Sequence, residues 1–308
     1  MNEARAEKRD VHGWIALDKP TGVTSTDAVA AIKRLFRAKK AGHAGTLDPL
    51  ASGVLPIALG EATKTVPFVM DGRKSYRFTV RWGVETDTDD ADGRVTERSD
   101  QRPSVEAIRT LLPRFRGSIE QTPPKYSALK VDGERAYDLA REGAVVELAA
   151  RPVEVDQLDL TETPDADHAV FEAECGKGTY VRALARDLGR GLGCFGHVQA
   201  LRRLQVGPFA EADTVTLDEL ARLRTDSGEQ ALAATLSPVE AGLAALPALS
   251  ISSADAQRLT LGQSVILRGR DAPILEGLVS VSAQGALIAL GEVERGSLKP
   301  RRIFHLPR

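Results

Sequence analysis

"HAVFEAECGKGTYVRALARDLGRGLG", residues 168–193, reads as a strand, then a glycine turn, then a helix with a basic face. The stretches around it mix the same two element types. "GWIALDKP" (13–20) is a short apolar run closed by proline, a strand leading into a turn. "TSTDAVAAIKRLFRAK" (24–39) opens with Ser/Thr/Asp capping chemistry and continues at helical spacing through Val29, Ile32, Leu35 and Phe36. "SYRFTVRWGV" (75–84) alternates polar and apolar residues as a half-buried strand does, and "SVEAIRTLLPRF" (104–115) is a second short helix. No regular βαβ period links these pieces. The expected fold class is therefore α+β with a mixed or antiparallel sheet, rather than a doubly wound one.

Composition shifts near residue 226. "TDSGEQALAATLSPVEAGLAALPALSI" is alanine-rich with scattered Gly, Pro and Ser, which suits a connecting region over about 226–247. Beyond it, "SADAQRLTLGQSVIL", "GLVSVSA", "ALIALGEVE" and "RRIFHLP" read as one short helix followed by several short strands. This is a β-rich module too small to own a large core. The expected division is 1–247, including a flexible start at 1–11, and 248–308.

A chain of 308 residues with 42% hydrophobic and 27% charged residues is an ordinary globular protein in composition. No stretch approaches the roughly 18 consecutive apolar residues of a membrane span. The charged start "MNEARAEKRDVHGW" lacks the apolar core of a signal peptide, so a cytoplasmic location is expected. The two cysteines, Cys175 and Cys194, form no CxxC pattern, which argues against a structural zinc or a disulfide framework.

A net charge of −2 hides a segregation. Lys177, Arg182, Arg186, Arg190, Arg202 and Arg203 stand against the single acid Asp187 between them. The last fourteen residues hold five basic ones, Arg295, Lys299, Arg301, Arg302 and Arg308, and no acid. "VETDTDDADGRVTE" (84–97) carries six acids and one arginine. Such basic clusters suit a polyanion partner, and they equally suit solvated faces of mixed charge.

"AGHAGTLDPLASGVL" (41–55) places one carboxylate, Asp48, among small residues and just before a proline. Pro49 biases Asp48 toward an extended or turn conformation, while Gly42, Gly45 and Gly53 permit close approach of backbone or ligand. Taken alone this is a surface turn. Other motifs fail. "TDTDDADG" has Ser99 where a calcium loop beginning at Thr88 needs glutamate, and "GKGT" lacks the first glycine of a P-loop. No GxSxG, HExxH or GxGxxG occurs, and neither a metal nor an organic cofactor is indicated.

Five segments in order, "LDKPTGVTS" (17–25), "AGHAGTLDPLASGVLPIALGEATK" (41–64), "YSALKVDGERAYDLAREG" (126–143), "GKGTYVRALARDLG" (176–189) and "HVQALRRL" (197–204), resemble the bacterial tRNA pseudouridine synthase family TruB. The resemblance runs from about residue 12 onward. It implies the pseudouridine synthase fold with a small PUA-like RNA-binding module at 248–308. It also implies an enzyme that isomerises uridine 55 in the T loop of tRNA to pseudouridine by base flipping, without cofactor. By the same matching Asp48 is the nucleophile, Arg182 its partner, and Tyr76 stacks on the flipped uracil and lends its hydroxyl. Tyr180 and Leu201 line the pocket, and His43 wedges into the RNA in place of the bases turned out. Lys19, Pro20 and Lys64 support the pocket or touch phosphate, and 126–143 closes over the RNA.

Without the resemblance, Arg182 reads as one more phosphate contact, Tyr76 and Leu201 as packing, and His43 as a loop histidine. The implied partner is the tRNA T arm, with no membrane and no obligatory protein partner, and the chain is expected to be a monomer. An RNA-folding protein with a vestigial site and a guide-dependent synthase are the other classes to separate.

Overall fold

Strand β4 (Lys74–Trp82) shows how the sequence builds the sheet: Lys74, Phe78, Val80 and Trp82 are buried while Arg77 and Arg81 face solvent. The computed structural model describes residues 7–127, 130–131, 134–135, 148–267 and 275–307. Before β4 come β1 (Gly13–Lys19), α1 (Ser25–Leu35), β2 (Ala41–His43), β3 (Ser52–Leu59) and α2 (Val66–Asp71). After it come β5 (Val84–Thr86), β6 (Val95–Arg98), α3 (Val105–Leu111), β7 (Gly117–Gln121), β8 (Lys130–Val131) and β9 (Glu134–Arg135). β10 (Arg151–Asp165), β11 (His168–Cys175), α4 (Val181–Gly191), β12 (Gly196–Val206), β13 (Phe209–Ala210) and α5 (Leu217–Ala233) follow. The C-terminal elements are β14 (Ala248–Ser250), α6 (Ser253–Thr260), β15 (Val265–Ile266), β16 (Gly277–Ala283), β17 (Ala286–Glu294) and β18 (Ser297–Ile303).

The main sheet has the order β1-β3-β12-β4-β11-β10-β7, with β2 added to β3 and β13 to β12. It is antiparallel except where β12 meets β3 at Arg202↔Ser52 and Arg203↔Gly53. That short parallel contact explains how β3 tolerates Pro56 although strand proline normally sits at an edge or bulge. Pro56 lies between the last pair with β12, at Gly53, and the first with β2, His43↔Ile57. The segment 44–51 is thus the loop joining β2 to β3, and both its ends are fixed in one sheet.

β1, at one end of this order, is nevertheless buried on both faces. Ile15 and Leu17 join the larger core with Ile32, Phe78, Trp82, Phe171 and Leu184, where Phe78 and Phe171 stack at 5.4 Å. Trp14 and Ala16 join a second cluster with Phe209, Val239 and Leu243. α1 is capped by Thr24, whose hydroxyl accepts from the Asp27 amide at 3.1 Å, and buries Ala28 and Ile32.

The C-terminal sheet, β14-β16-β17-β18-β15, packs α6 through Leu259 against Val279, Val281, Val293 and Leu298. Its Leu287, Leu290 and Phe304 belong instead to the Trp14 cluster, so the module shares apolar surface with the main sheet. The alanine-rich stretch around 226–247 is packed too. α5 runs through it with a break at Gly228, Leu232 is buried, and Ser237 exchanges two backbone bonds of 2.8 Å with Trp14. At the N-terminal end the Arg9 amide donates to the Arg37 carbonyl at 2.8 Å. No helix among the described residues is long and apolar enough to cross a membrane.

Candidate active site

Each residue of the loop from Gly45 to Pro49 is held by a side chain from another element. The Ser25 hydroxyl, at the start of α1, donates to the Leu47 carbonyl at 2.9 Å and accepts from the Leu47 amide at 2.8 Å. The Lys19 ammonium, at the end of β1, donates to Pro20 O at 2.8 Å and Val23 O at 2.7 Å, and reaches Pro49 O at 3.5 Å. Arg203 on β12 donates to Gly45 O at 3.0 Å, Thr46 O at 3.4 Å and Val54 O at 2.8 Å. Burial pushes the Lys19 ammonium down to about 8, against the attraction of Asp48.

Asp48 projects from this loop with its side chain 39% exposed, and its Oδ2 lies 2.9 Å from Arg182 Nε. The Arg182 guanidinium is itself buried and spends its other nitrogens on Thr88 O at 3.1 Å, Tyr126 O at 2.9 Å and Asp90 at 3.6 Å. An arginine fixed on four sides leaves the carboxylate one orientation, with its free edge toward solvent. Asp48, Tyr76, Tyr180, Arg182, Leu201, Lys74 and Arg203 line one cavity of about 250 Å³. Tyr76 Oη sits beside Arg203, and burial pushes the phenol above its usual range despite that neighbour. A wider hollow of about 470 Å³ near Arg77, Thr79 and Arg202 includes Leu201 alone of the residues expected to line the pocket or carry the chemistry.

His43 is brought to the loop but not into this cavity. It ends β2, half-buried, and its Nδ1 is buried with no hydrogen-bond partner among the described residues. Burial, with Arg203 adding to it, pushes its pKa down and keeps the ring neutral. Lys64 lies elsewhere as well. It donates to Ile303 O at 2.8 Å, pairs with Glu61 at 2.6 Å and stands over the Phe304 ring, so it ties the C-terminal module to the main sheet. Most of 126–143 lies outside the described residues.

The basic cluster around α4 turns out to be an internal network. Arg186 pairs with Asp89 at 3.0 Å and Asp187 at 2.8 Å, and Arg190 pairs with Glu85 at 2.6 Å. Lys177 pairs with Asp71, Arg202 with Asp18, and Arg203 is capped by carbonyls. Arg182, Arg186 and Arg203 are buried, so they form no free polyanion surface. Their counter-charges come largely from the acidic run at 84–97, whose Glu85, Asp89 and Asp90 are buried against them. Lone charges there would be expensive; the pairing is what lets the helix lie under the site. Sequence reasoning gave no such role to Ser25, Asp89 or Asp90. The signal it had was the opposite sign of the two clusters.

The fold agrees with known proteins. A family model described as TruB family pseudouridylate synthase (N terminal domain) matches residues 33–181. Two C-terminal ones, tRNA pseudouridylate synthase B C-terminal domain and Pseudouridine synthase II TruB, C-terminal, match 182–244 and 247–304. The tRNA pseudouridine synthase B of Bradyrhizobium diazoefficiens is 65% identical over 99% of this chain and 89% of its own. That of Brucella abortus is 54% identical over 96% of each. Among solved structures, a Cbf5-Nop10-Gar1 complex aligns with a TM-score of 0.74 and 28% identity over 95% of this chain and 85% of the other. An H/ACA RNP bound to a substrate RNA containing 2'-deoxyuridine also aligns with a TM-score of 0.74, at 26% identity over 96% and 85%. With the sheet, the C-terminal module and the matched families in agreement, the chain belongs to the TruB family of pseudouridylate synthases.

Proposed function

We propose that this chain isomerises uridine 55 in the T loop of tRNA to pseudouridine, with Asp48 as the nucleophile. The observation that carries the reading is the half-exposed Asp48 carboxylate, held by buried Arg182 at 2.9 Å on the wall of a cavity that Tyr76 and Leu201 also line. At about 250 Å³ the cavity falls below the roughly 300–1,000 Å³ typical of drug-sized ligands, which suits one flipped base. The reaction breaks the glycosidic bond at N1, turns the uracil, joins its C5 to the ribose, loses the proton at C5 and gains one at N1. Substrate and product have the same atoms and oxidation state, so the step needs no cofactor. A carboxylate can form and release the covalent adduct itself. Tyr76 stacks on the base, Tyr180 and Leu201 wall it in, and His43 fills the space left in the RNA. A neutral imidazole suits that last task, since it stacks without attracting the backbone.

Residues 248–308 act as a PUA-like RNA-binding module within a monomer that needs no protein partner. The test is Asp48→Asn with unmodified tRNA transcript. Binding and folding should persist while pseudouridine at position 55 disappears, because an amide is isosteric but not nucleophilic. Pseudouridine formed by the variant above contamination refutes the assignment.

A further inference from the structure

β12 carries two consecutive arginines with different surroundings. Arg202 faces outward to Asp18 at 3.0 Å. Arg203 faces inward, is 1% exposed, and forms no ion pair with any described carboxylate; its nitrogens go to the carbonyls of Val54, Gly45 and Thr46. A buried guanidinium satisfied only by carbonyls is costly, and apolar packing would be cheaper. Burial also rules out a contact with RNA phosphate. Its neighbour across the sheet is Tyr76, paired with it in register, and the two side chains line the same cavity. On the other side β12 runs close to β3. At Gly53, where φ is +97°, an added Cβ would lie 2.2 Å from Arg203 O.

We propose that Arg203 is a positioning residue for the isomerisation, fixing the carbonyls of Gly45 and Thr46 ahead of Asp48 and turning the Tyr76 hydroxyl proton into the cavity. The inference rests on the roles given above to Asp48 and Tyr76. Arginine has five donors and no acceptor, so in any hydrogen bond between the two the phenol oxygen accepts. A phenol beside a cation that can only donate turns its oxygen toward it and its proton away, and the open side is the cavity. Burial keeps that proton on the oxygen at neutral pH. Tyr76 thereby presents a donor of fixed direction to the bound nucleotide, and it does not act as the acceptor of the C5 proton. One side chain sets both the nucleophile's loop and the ring that stacks on the base.

The experiment compares Arg203→Lys, Tyr76→Phe and the double variant with the parent chain. It reads tRNA Kd, single-turnover rate on unmodified tRNA, and thermal unfolding. Lysine can keep one carbonyl contact but not the fork. Arg203→Lys should bind tRNA within about threefold of the parent and react at least about tenfold more slowly, since misplacement by an ångström can cost up to about a hundredfold. In the Tyr76→Phe background the same change should cost a clearly smaller factor, because the hydroxyl it orients is gone. A rate within twofold of the parent, or equal factors in both backgrounds, overturns the proposal.

If Arg203→Lys does not fold, 3,5-difluorotyrosine placed at position 76 of the otherwise native chain decides. With the phenol made more acidic, a donor role predicts a rate that falls as pH rises through its titration, and a rising or flat rate refutes it. Asp48→Asn run in parallel separates the two readings. Activity in that variant overturns the site assignment itself, whereas an inactive Asp48→Asn with a failed Arg203 test overturns only this inference.

Discussion

Ser25→Ala removes one oxygen and should be felt twice. The hydroxyl it deletes is 2.9 Å from the Leu47 carbonyl and 2.8 Å from the Leu47 amide, and both residues are 4% exposed. Two buried backbone groups therefore lose their partner at once. An unsatisfied buried group costs about 1–3 kcal/mol, and the loop can recover part of that by letting water in, so the expected loss is about 2–4 kcal/mol. For a chain of this size that is a fall in Tm of roughly 3–6 °C. The second effect is kinetic: Leu47 precedes Asp48, and a loop released there lets the carboxylate drift, with a cost in single-turnover rate of about tenfold or more. Thr24→Ala is the control, because it removes the true cap of the same helix at about 1 kcal/mol without touching the loop. Urea unfolding and single-turnover assays on both variants supply the comparison. If Ser25→Ala is no less stable than Thr24→Ala and reacts at the parental rate, the hydroxyl is not what holds the nucleophile's loop.

His43→Ala should slow the reaction on an intact T loop and spare an RNA whose loop is already unstacked; equal slowing on both would mean that His43 does not act as a wedge. Gly53→Ala combines a φ of +97° with a Cβ only 2.2 Å from Arg203 O, and should cost about 3 kcal/mol or more in urea unfolding; a loss under 1 kcal/mol would show that the two strands can part freely. Burial pushes the Asp89 carboxyl up to about 6, against the pull of Arg186 and Arg182. A carboxyl raised on folding favours the folded state at low pH, and that contribution is lost as pH rises from near 4 to near 6, so Asp89→Asn should flatten the change in stability across this window; an unchanged pH profile refutes the reasoning.

What could be read in advance divides by distance along the chain. β4 and the pair β11–α4 were legible because their alternation, glycine turn and helical spacing are local. β3 was not, since "SGVLPIAL" is buried along nearly its whole length, shows no alternation and contains Pro56. Ser25 illustrates how fine the margin is: it belongs to the capping cluster, yet Thr24 is the cap and Ser25 turns to Leu47. Asp48, Tyr76, Tyr180, Arg182 and Leu201 meet around one cavity, while His43 stands outside it. The pairing of the acidic run at 84–97 with α4 spans about a hundred residues, and no local pattern announces which surface a charge will face. Arg202 and Arg203 look alike in sequence. Only the direction of β12's side chains makes one a surface ion pair and the other the support of the loop.

The apolar cluster around Trp14 has a consequence for the order in which the protein is made. Trp14, Ala16, Val54 and Ala58 emerge early, but Leu287, Leu290 and Phe304 reach the same cluster only after more than 200 further residues have left the ribosome. Once β12 has been made the sheet can complete its hydrogen bonds here, yet this side stays open in packing until those last residues arrive. A chain stopped short of the last strands keeps Asp48 and Arg182 yet presents a greasy flank to the cell. Quality-control proteases and holdases recognise such flanks, so translation errors late in the message are removed through the same contacts that close the native fold.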